Sequence, residues 1–177
     1  WFTDGHLLPY TGKEKVHYSY NTQRRMPVPG RTNQVTCDGS GRIVDFEIQE
    51  GKGAMKQWIL DVVDKWRPEL PTPPVSVFDR EGYDADFFFR LVSADKPFVS
   101  WQKNVDAKAL AAIEAQRFAT DFSFNGKCYS VFEQPKAFTV TDAQGDTRKF
   151  TLRHIHIWNR SSDRRTCALV HADPALL

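Results

Sequence analysis

The sequence predicts an α/β domain whose sheet is partly parallel and carries a β-rich insertion. Two observations lead there. In the first half, a strand-like apolar run, an amphipathic helical run and a second apolar strand follow in turn, the order of a βαβ crossover. From Phe122 onward the pattern changes to strands separated by turn residues.

The elements follow in chain order. Trp1 to Leu8 reads as a buried central strand with one acidic residue, Asp4. A carboxylate among Trp, Phe and Leu is costly to bury unless it is paired, hydrogen-bonded or metal-bound. Pro9 and Gly12 end that run. Lys13 to Arg31 is rich in Lys, Arg, Tyr, Asn and Gln and reads as a long ordered loop, with Pro27-Val-Pro-Gly30 as a turn. Thr32 to Cys37 and Arg42 to Ile48 flank Asp38-Gly-Ser-Gly41 and predict a β-hairpin.

Gly53 to Trp66 is the first helix: Ala54, Met55, Trp58, Ile59, Val62, Val63 and Trp66 recur at three- and four-residue spacing and make one apolar face. Pro68, Pro71, Pro73 and Pro74 stop it and lead into the strand Val75 to Phe78. Asp79-Arg-Glu-Gly82 is then a turn at the carboxyl end of that strand. Tyr83 to Val92 reads as a second helix, Phe98 to Trp101 as a strand, and the Ala-rich Asp106 to Ala119 as a third helix. Five strands are expected after that: Phe122 to Phe124, Cys128 to Phe132, Ala137 to Val140, Phe150 to Trp158 and Thr166 to His171. Asn125-Gly126 and Ala143-Gln-Gly145 mark turns. The insertion falls at about residues 105–150, with about 1–104 and 151–177 forming the α/β part.

A chain of 177 residues is long enough for one domain with an insertion, and its 41% hydrophobic and 13% aromatic content argues against disorder. With 24 basic against 22 acidic residues, net charge alone neither demands nor excludes nucleic acid, so any basic surface must come from local clustering. Cys37, Cys128 and Cys167 form no CxxC pair, which leaves a structural zinc site without a framework and fits reduced thiols in the cytoplasm. No apolar run is long enough to span a bilayer. The chain opens inside a strand and closes without a helix, which suggests a piece of a longer protein.

Asp4 and Asp79 are the two fixed points. If their strands lie side by side, the carboxylates come together over a divalent metal ion. Asp4-Gly-His6 with Pro9-Tyr10 and Gly12-Lys13, then Thr22-Gln-Arg-Arg-Met26 before Pro29-Gly30, resembles the start of the catalytic domain of DDE transposases of bacterial insertion sequences. Phe78-Asp-Arg-Glu-Gly-Tyr83 resembles that family's second signature. Leu152-Arg-His-Ile155 and Arg165-Thr-Cys-Ala-Leu169 resemble its later strands.

The resemblance implies a ribonuclease-H-like fold, a mixed sheet flanked by helices in which the first strand is central and lies beside the fourth. It implies Asp4 and Asp79 as catalytic metal ligands for Mg²⁺ or Mn²⁺, and two-metal phosphoryl transfer at DNA. Transposon ends and target DNA are the implied partners, with a homodimer or higher assembly on DNA at the bacterial nucleoid. The family's third acid, a Glu on a later helix, has no counterpart here. Glu114 and Glu133 match no motif, and Asp173 reads as a helix cap.

Lys13, Lys15, Arg24 and Arg25, interleaved with Tyr18 and Tyr20, are candidate DNA-backbone contacts, as is Arg80. Each candidate has a structural alternative. Asp4 can bond to backbone or to an Arg, Asp79 can cap the following helix, Arg80 can form a salt bridge, and the basic stretch can be a solvated loop. His6 shares a face with Asp4. His154 and His156 share a strand face and read as ordinary sheet residues or a metal pair. Trp101 and Lys103 read as core packing or as a base-stacking contact. Two other readings stay open: a ribonuclease-H-like nuclease without strand transfer, and a non-catalytic DNA-binding or assembly module.

Overall fold

The computed structural model describes residues 1–21, 24–51 and 53–172. Thr22 and Gln23 of the expected loop motif, Lys52, and Asp173 with the four residues after it lie outside the described residues. The chain divides into two compact units, Trp1–Gly82 and Tyr83–Leu177. Both mix strands with few helices.

Among the described residues, the first unit holds five strands and one long helix. They are β1 (Phe2–Pro9), β2 (Tyr18–Asn21), β3 (Met26–Cys37), β4 (Ile43–Glu50), α1 (Met55–Trp66) and β5 (Ser76–Phe78). β3 pairs antiparallel with β1 along one edge, and with β2 and then β4 along the other. β1 pairs in parallel with β5, and α1 lies between β4 and β5 in sequence, so the expected crossover is present. The β3–β4 hairpin closes on Asp38, whose Oδ1 accepts from the N–H groups of Ser40 and Arg42 at 2.8 and 3.0 Å.

α1 buries Met55, Trp58, Ile59, Leu60, Val62 and Val63. Their spacing is the apolar stripe read from the sequence. Trp58 Nε1 donates to Thr36 Oγ1 at 3.2 Å, and Thr36 Oγ1 lies 3.0 Å from Thr3 Oγ1. This buried chain of polar groups ties α1, β3 and β1 together. The far end of the helix is tied by Asp45, whose Oδ2 accepts from Trp66 Nε1 at 2.8 Å and from Lys65 Nζ at 2.7 Å.

Lys13 to Arg31 is not a loop throughout, because β2 and the first half of β3 lie in it. Pro27 and Pro29 argue against a strand in the sequence, yet both fit this one. Pro29 O accepts from Tyr10 N at 2.8 Å, while Gly30 N donates to His17 O at 3.0 Å. The two proline nitrogens therefore face away from β2, where a missing N–H costs the β2–β3 ladder nothing.

The second unit contains α2 (Ala85–Ser93), β6 (Phe98–Trp101), α3 (Ala107–Ala111), β7 (Thr120–Phe124), β8 (Lys127–Thr141), β9 (Thr147–Asn159) and β10 (Arg164–His171). Its strands pair antiparallel in the series β6–β10–β9–β8–β7. β7, β8 and the start of β9 belong to the segment expected as an insertion, and they continue in register into the rest of β9 and β10. Its core is aromatic: Phe88 stacks on Phe98 at 5.1 Å and meets Phe138 edge-on at 5.9 Å.

Two expectations fail in this unit. The helix Asp106 to Ala119 is cut to Ala107–Ala111, because Arg165 Nη1 donates to the carbonyls of Leu110, Ala111 and Ile113 at 2.8, 3.1 and 2.8 Å. Those carbonyls are thereby satisfied from outside the helix. The separate strands expected at Cys128 and Ala137 are one strand, β8, running through Pro135. β7 accompanies β8 only as far as Val131, so Pro135 occupies the part bonded to β9 alone, where a proline is tolerated.

Candidate functional site

β1 and β5 set the geometry of the candidate site. Phe2 lies opposite Val77 and Thr3 opposite Phe78 in the parallel ladder. The pairing is anchored at its start, where Val77 N donates to Trp1 O at 2.7 Å and the Trp1 amino group donates to Val75 O at 2.7 Å. Asp4 and Asp79 each follow the buried pair Thr3 and Phe78 by one residue. Neighbouring strands lie about 4.8 Å apart, and Asp4 and Asp79 come next along the two strands, Asp79 at the carboxyl end of β5.

Asp4 is not buried, contrary to the sequence expectation. Burial alternates along β1: Thr3 is inside, whereas Phe2, Asp4, His6 and Leu8 face outward. Side chains on a strand alternate between faces, and α1 covers only the Thr3 face. No desolvation cost therefore calls for a partner at Asp4. The link between the two strands is the register of Thr3 with Phe78, one residue before each carboxylate. Two like charges in adjacent strands repel, and a cation between them relieves that repulsion.

Both carboxylates also bond to backbone. Asp4 Oδ1 accepts from Gly5 N at 2.9 Å. Asp79 Oδ1 accepts from Glu81 N at 2.8 Å, and Gly82 N donates to Asp79 O at 3.2 Å. Asp79 thus caps the short turn Arg80–Gly82, whereas α2 has its own cap in Asp84, which accepts from Phe87 N at 2.8 Å. The turn is close against β5: any side chain at Gly82 would meet the Phe78 ring.

The donor set suits a hard cation. Mg²⁺ binds through one or two carboxylates and keeps several waters, which is what two exposed Asp side chains offer. Among the described residues, no group of three or more His, Cys, Asp and Glu is arranged to hold a metal ion.

The basic candidates divide into two places. Arg80 is exposed and directly follows Asp79. Lys13, Lys15, Arg24 and Arg25 are exposed at the other end of β1, around β2. Asp4 lies opposite Val35, whereas Tyr18 lies opposite Pro29. Six residues of β3 separate those positions, about 20 Å at the rise of an extended strand. The structure therefore does not bring these four cations to the Asp pair. Arg25 sits in the left-handed region (φ 53°) and turns the chain into β3.

His154 and His156 are buried in the second unit, with ring centroids 4.1 Å apart. Gln134 Nε2 is 3.0 Å from His156 Nε2, while His154 Nε2 and His156 Nδ1 have no hydrogen-bond partner among the described residues. Burial, then the neighbouring His156 and Lys136, push His154 down to about 4. Burial, then Arg117 and Lys136, push His156 down as well. Trp101 is part of β6 opposite Ala168 and is 42% exposed, so it is not core. Lys103 is exposed just beyond that strand.

A cationic stack in the second unit is not legible in the sequence. Arg160 lies 3.4 Å from the Trp158 ring centroid and Arg165 lies 4.1 Å from it. Arg160 Nε also donates to Ser130 Oγ at 2.7 Å, in a groove lined by Phe122, Cys128 and Tyr129. The Arg160–Ser130 bond joins residues 30 positions apart, and the Arg165–Trp158 contact joins strands β10 and β9 across their turn, a pairing that the residue pattern does not reveal.

No family model matches the sequence, and no curated protein does. Among solved structures, the chain is similar to a piggyBac transposase in a cryo-EM synaptic complex with hairpin DNA, at a TM-score of 0.55 and 11% identity. The match covers 97% of this chain and 33% of that one, so the chain spans about a third of the transposase's length. The likeness is one of fold: a mixed α/β arrangement similar to that of a transposase. No helix among the described residues is long and apolar enough to cross a membrane.

Proposed function

We propose that this chain is a catalytic-core fragment of a DDE transposase with a ribonuclease-H-like fold. It cuts DNA at transposon ends and transfers the resulting 3′-hydroxyl to target DNA. The observation that supports the reading is the parallel pairing of β1 with β5, in which Thr3 and Phe78, the residues just before Asp4 and Asp79, lie opposite each other. Supporting it is the order β4–β3–β1–β5, with three antiparallel strands followed, after a helix, by a parallel one. The fold likeness to a transposase solved with DNA supports it too.

Asp4 and Asp79 hold Mg²⁺ or Mn²⁺ in this reading, and the ion supplies charge neutralisation for in-line displacement at phosphorus. Asp79 is oriented by the Glu81 N–H and Asp4 by the Gly5 N–H, so each carboxylate is aimed before metal arrives. Arg80, next to Asp79, contacts a phosphate of the bound strand. No Asp or Glu of this chain other than Asp4 and Asp79 is assigned an acidic catalytic role, and the chain alone is weak or inactive in this reading. A homodimer or higher assembly on DNA is the working form in this reading.

The test uses a protein containing this chain together with its natural flanking sequence. Plasmid DNA bearing transposon ends is incubated with Mg²⁺ or Mn²⁺, and nicking and joining of a labelled 3′-end are scored. The reading expects both, and expects Asp4→Asn and Asp79→Asn to abolish both. Nicking without joining assigns the protein to the nucleases. An Asp79→Asn protein that still joins ends refutes the site.

A further inference from the structure

We infer that the open face of the first unit's sheet is a track for unpaired DNA, with Tyr18 and Tyr20 stacking its bases. Along β2 burial alternates, so Ser19 and Asn21 are inside while Tyr18 is 71% and Tyr20 61% exposed. Two large aromatic rings thus stand next to each other on one face, well clear of the core.

The same face carries Asp4. Tyr18 lies opposite Pro29 and Tyr20 opposite Pro27, and Asp4 lies opposite Val35. Residues 27, 29, 31, 33 and 35 of β3 alternate regularly with the buried Val28, Gly30, Thr32, Gln34 and Thr36. Directly opposed residues in a ladder share a face. Tyr20, Tyr18, Leu8, His6 and Asp4 therefore follow one another along the side of the sheet that α1 leaves uncovered.

The spacing selects the ligand. Residues two apart on a strand are separated by about 6.8 Å. Stacked bases in a duplex rise by about 3.4 Å. The two rings match bases of an extended, unstacked strand, whose exposed π-faces stack on aromatics without regard to sequence. Across the ladder stand Pro27 and Pro29, short side chains that leave the tyrosine rings open. Charge fits as well: Lys13, Lys15, Arg24 and Arg25 flank β2 and are exposed. The acidic Glu14 and Glu50 are turned to Arg31, at 3.4 and 3.6 Å. Phosphates of a strand lying over Tyr18 and Tyr20 meet these cations. Stacking stands on this geometry alone; the direction of the track toward Asp4 rests on the function proposed above.

The experiment measures binding of a fluorescent oligo(dT) and of its duplex to the 177-residue chain by anisotropy across a salt series. Single-stranded binding is expected to exceed duplex binding, and Tyr18→Ala and Tyr20→Ala should each weaken it about tenfold. Tyr18→Phe and Tyr20→Phe should retain wild-type binding, since they keep the ring, and both positions are exposed enough to spare the fold. Arg24→Gln and Arg25→Gln should each reduce the salt slope by about 0.7. No single-strand binding at low salt overturns the inference. So does binding that the alanine variants leave unchanged, a preference for duplex, or tyrosine-dependent self-association without DNA binding. The two readings fail separately. If the Asp4 and Asp79 variants lose metal-dependent nicking while the tyrosine variants bind as wild type, only the stacking is wrong. If the tyrosine variants lose binding while the Asp variants still nick, only the catalytic assignment is wrong.

Discussion

Mild acid should loosen the second unit, because its strand β9 holds two neutral histidines in the interior. His154 is 7% and His156 4% exposed, and two of their ring nitrogens lack partners. A proton on either ring would be buried beside the other ring and near Lys136 and Arg117. Gln134 and Cys167 flank the pair without offering a carboxylate. The sign follows from linkage. A folded value below the unfolded one means that the unfolded chain binds the proton first, so stability is full above the unfolded value and falls as pH drops below it. With 6.5 unfolded and about 4 folded for His154, the loss runs through that window. Between about pH 7 and pH 5 it amounts to about 2 kcal/mol from His154 alone. His156 adds to it in the same direction. Hydrogen exchange followed by mass spectrometry on β8–β10 peptides, corrected for intrinsic rates, reads the opening free energy directly. A His154→Gln/His156→Gln double variant should lose most of the pH dependence. Equal protection at the two pH values, or the same acid loss in the double variant, refutes the reasoning.

Three further outcomes are expected. Arg165→Lys keeps the charge but cannot reach three carbonyls at once; it should cost about 2 kcal/mol and speed amide exchange at Leu110–Ile113. Gly30→Ala places a Cβ 2.7 Å from Leu8 O and 2.9 Å from Leu7 Cδ1, against backbone that cannot yield; about 1–3 kcal/mol should be lost, with faster exchange at Tyr10 N–H. Trp58→Phe removes the donor to Thr36 Oγ1 and should lower the urea midpoint by about 1 kcal/mol equivalent, with the slope unchanged.

Much of the first unit can be read from its residues. The apolar stripe of α1 and the short apolar run at β5 are local signals, and together they foretell a parallel pair. Asp4 and Asp79 each directly follow a residue of the β1–β5 ladder, and their proposed role rests on the resemblance of their flanking residues to a transposase motif. β2 stayed hidden because its buried face is Ser19 and Asn21, so the alternation that defines a strand is polar on both sides. The exposure of Asp4 was misread for a related reason: Phe2 and Leu8 look like core residues but lie on the face that α1 leaves uncovered, at 54% and 44% exposure. In the second unit, Arg165 ends α3 from 52 to 55 residues away, a competition that helical propensity within the segment does not register.

The central claim is that Asp4 and Asp79 share a metal ion. Paramagnetic broadening of the ¹⁵N-labelled chain by Mn²⁺ tests it without requiring activity. The account predicts that amides of Thr3–Gly5 and Phe78–Arg80 broaden first, together, and that Asp79→Asn removes the effect at both strands. Broadening that begins elsewhere, or that persists at β1 and β5 in Asp4→Asn and Asp79→Asn, contradicts it.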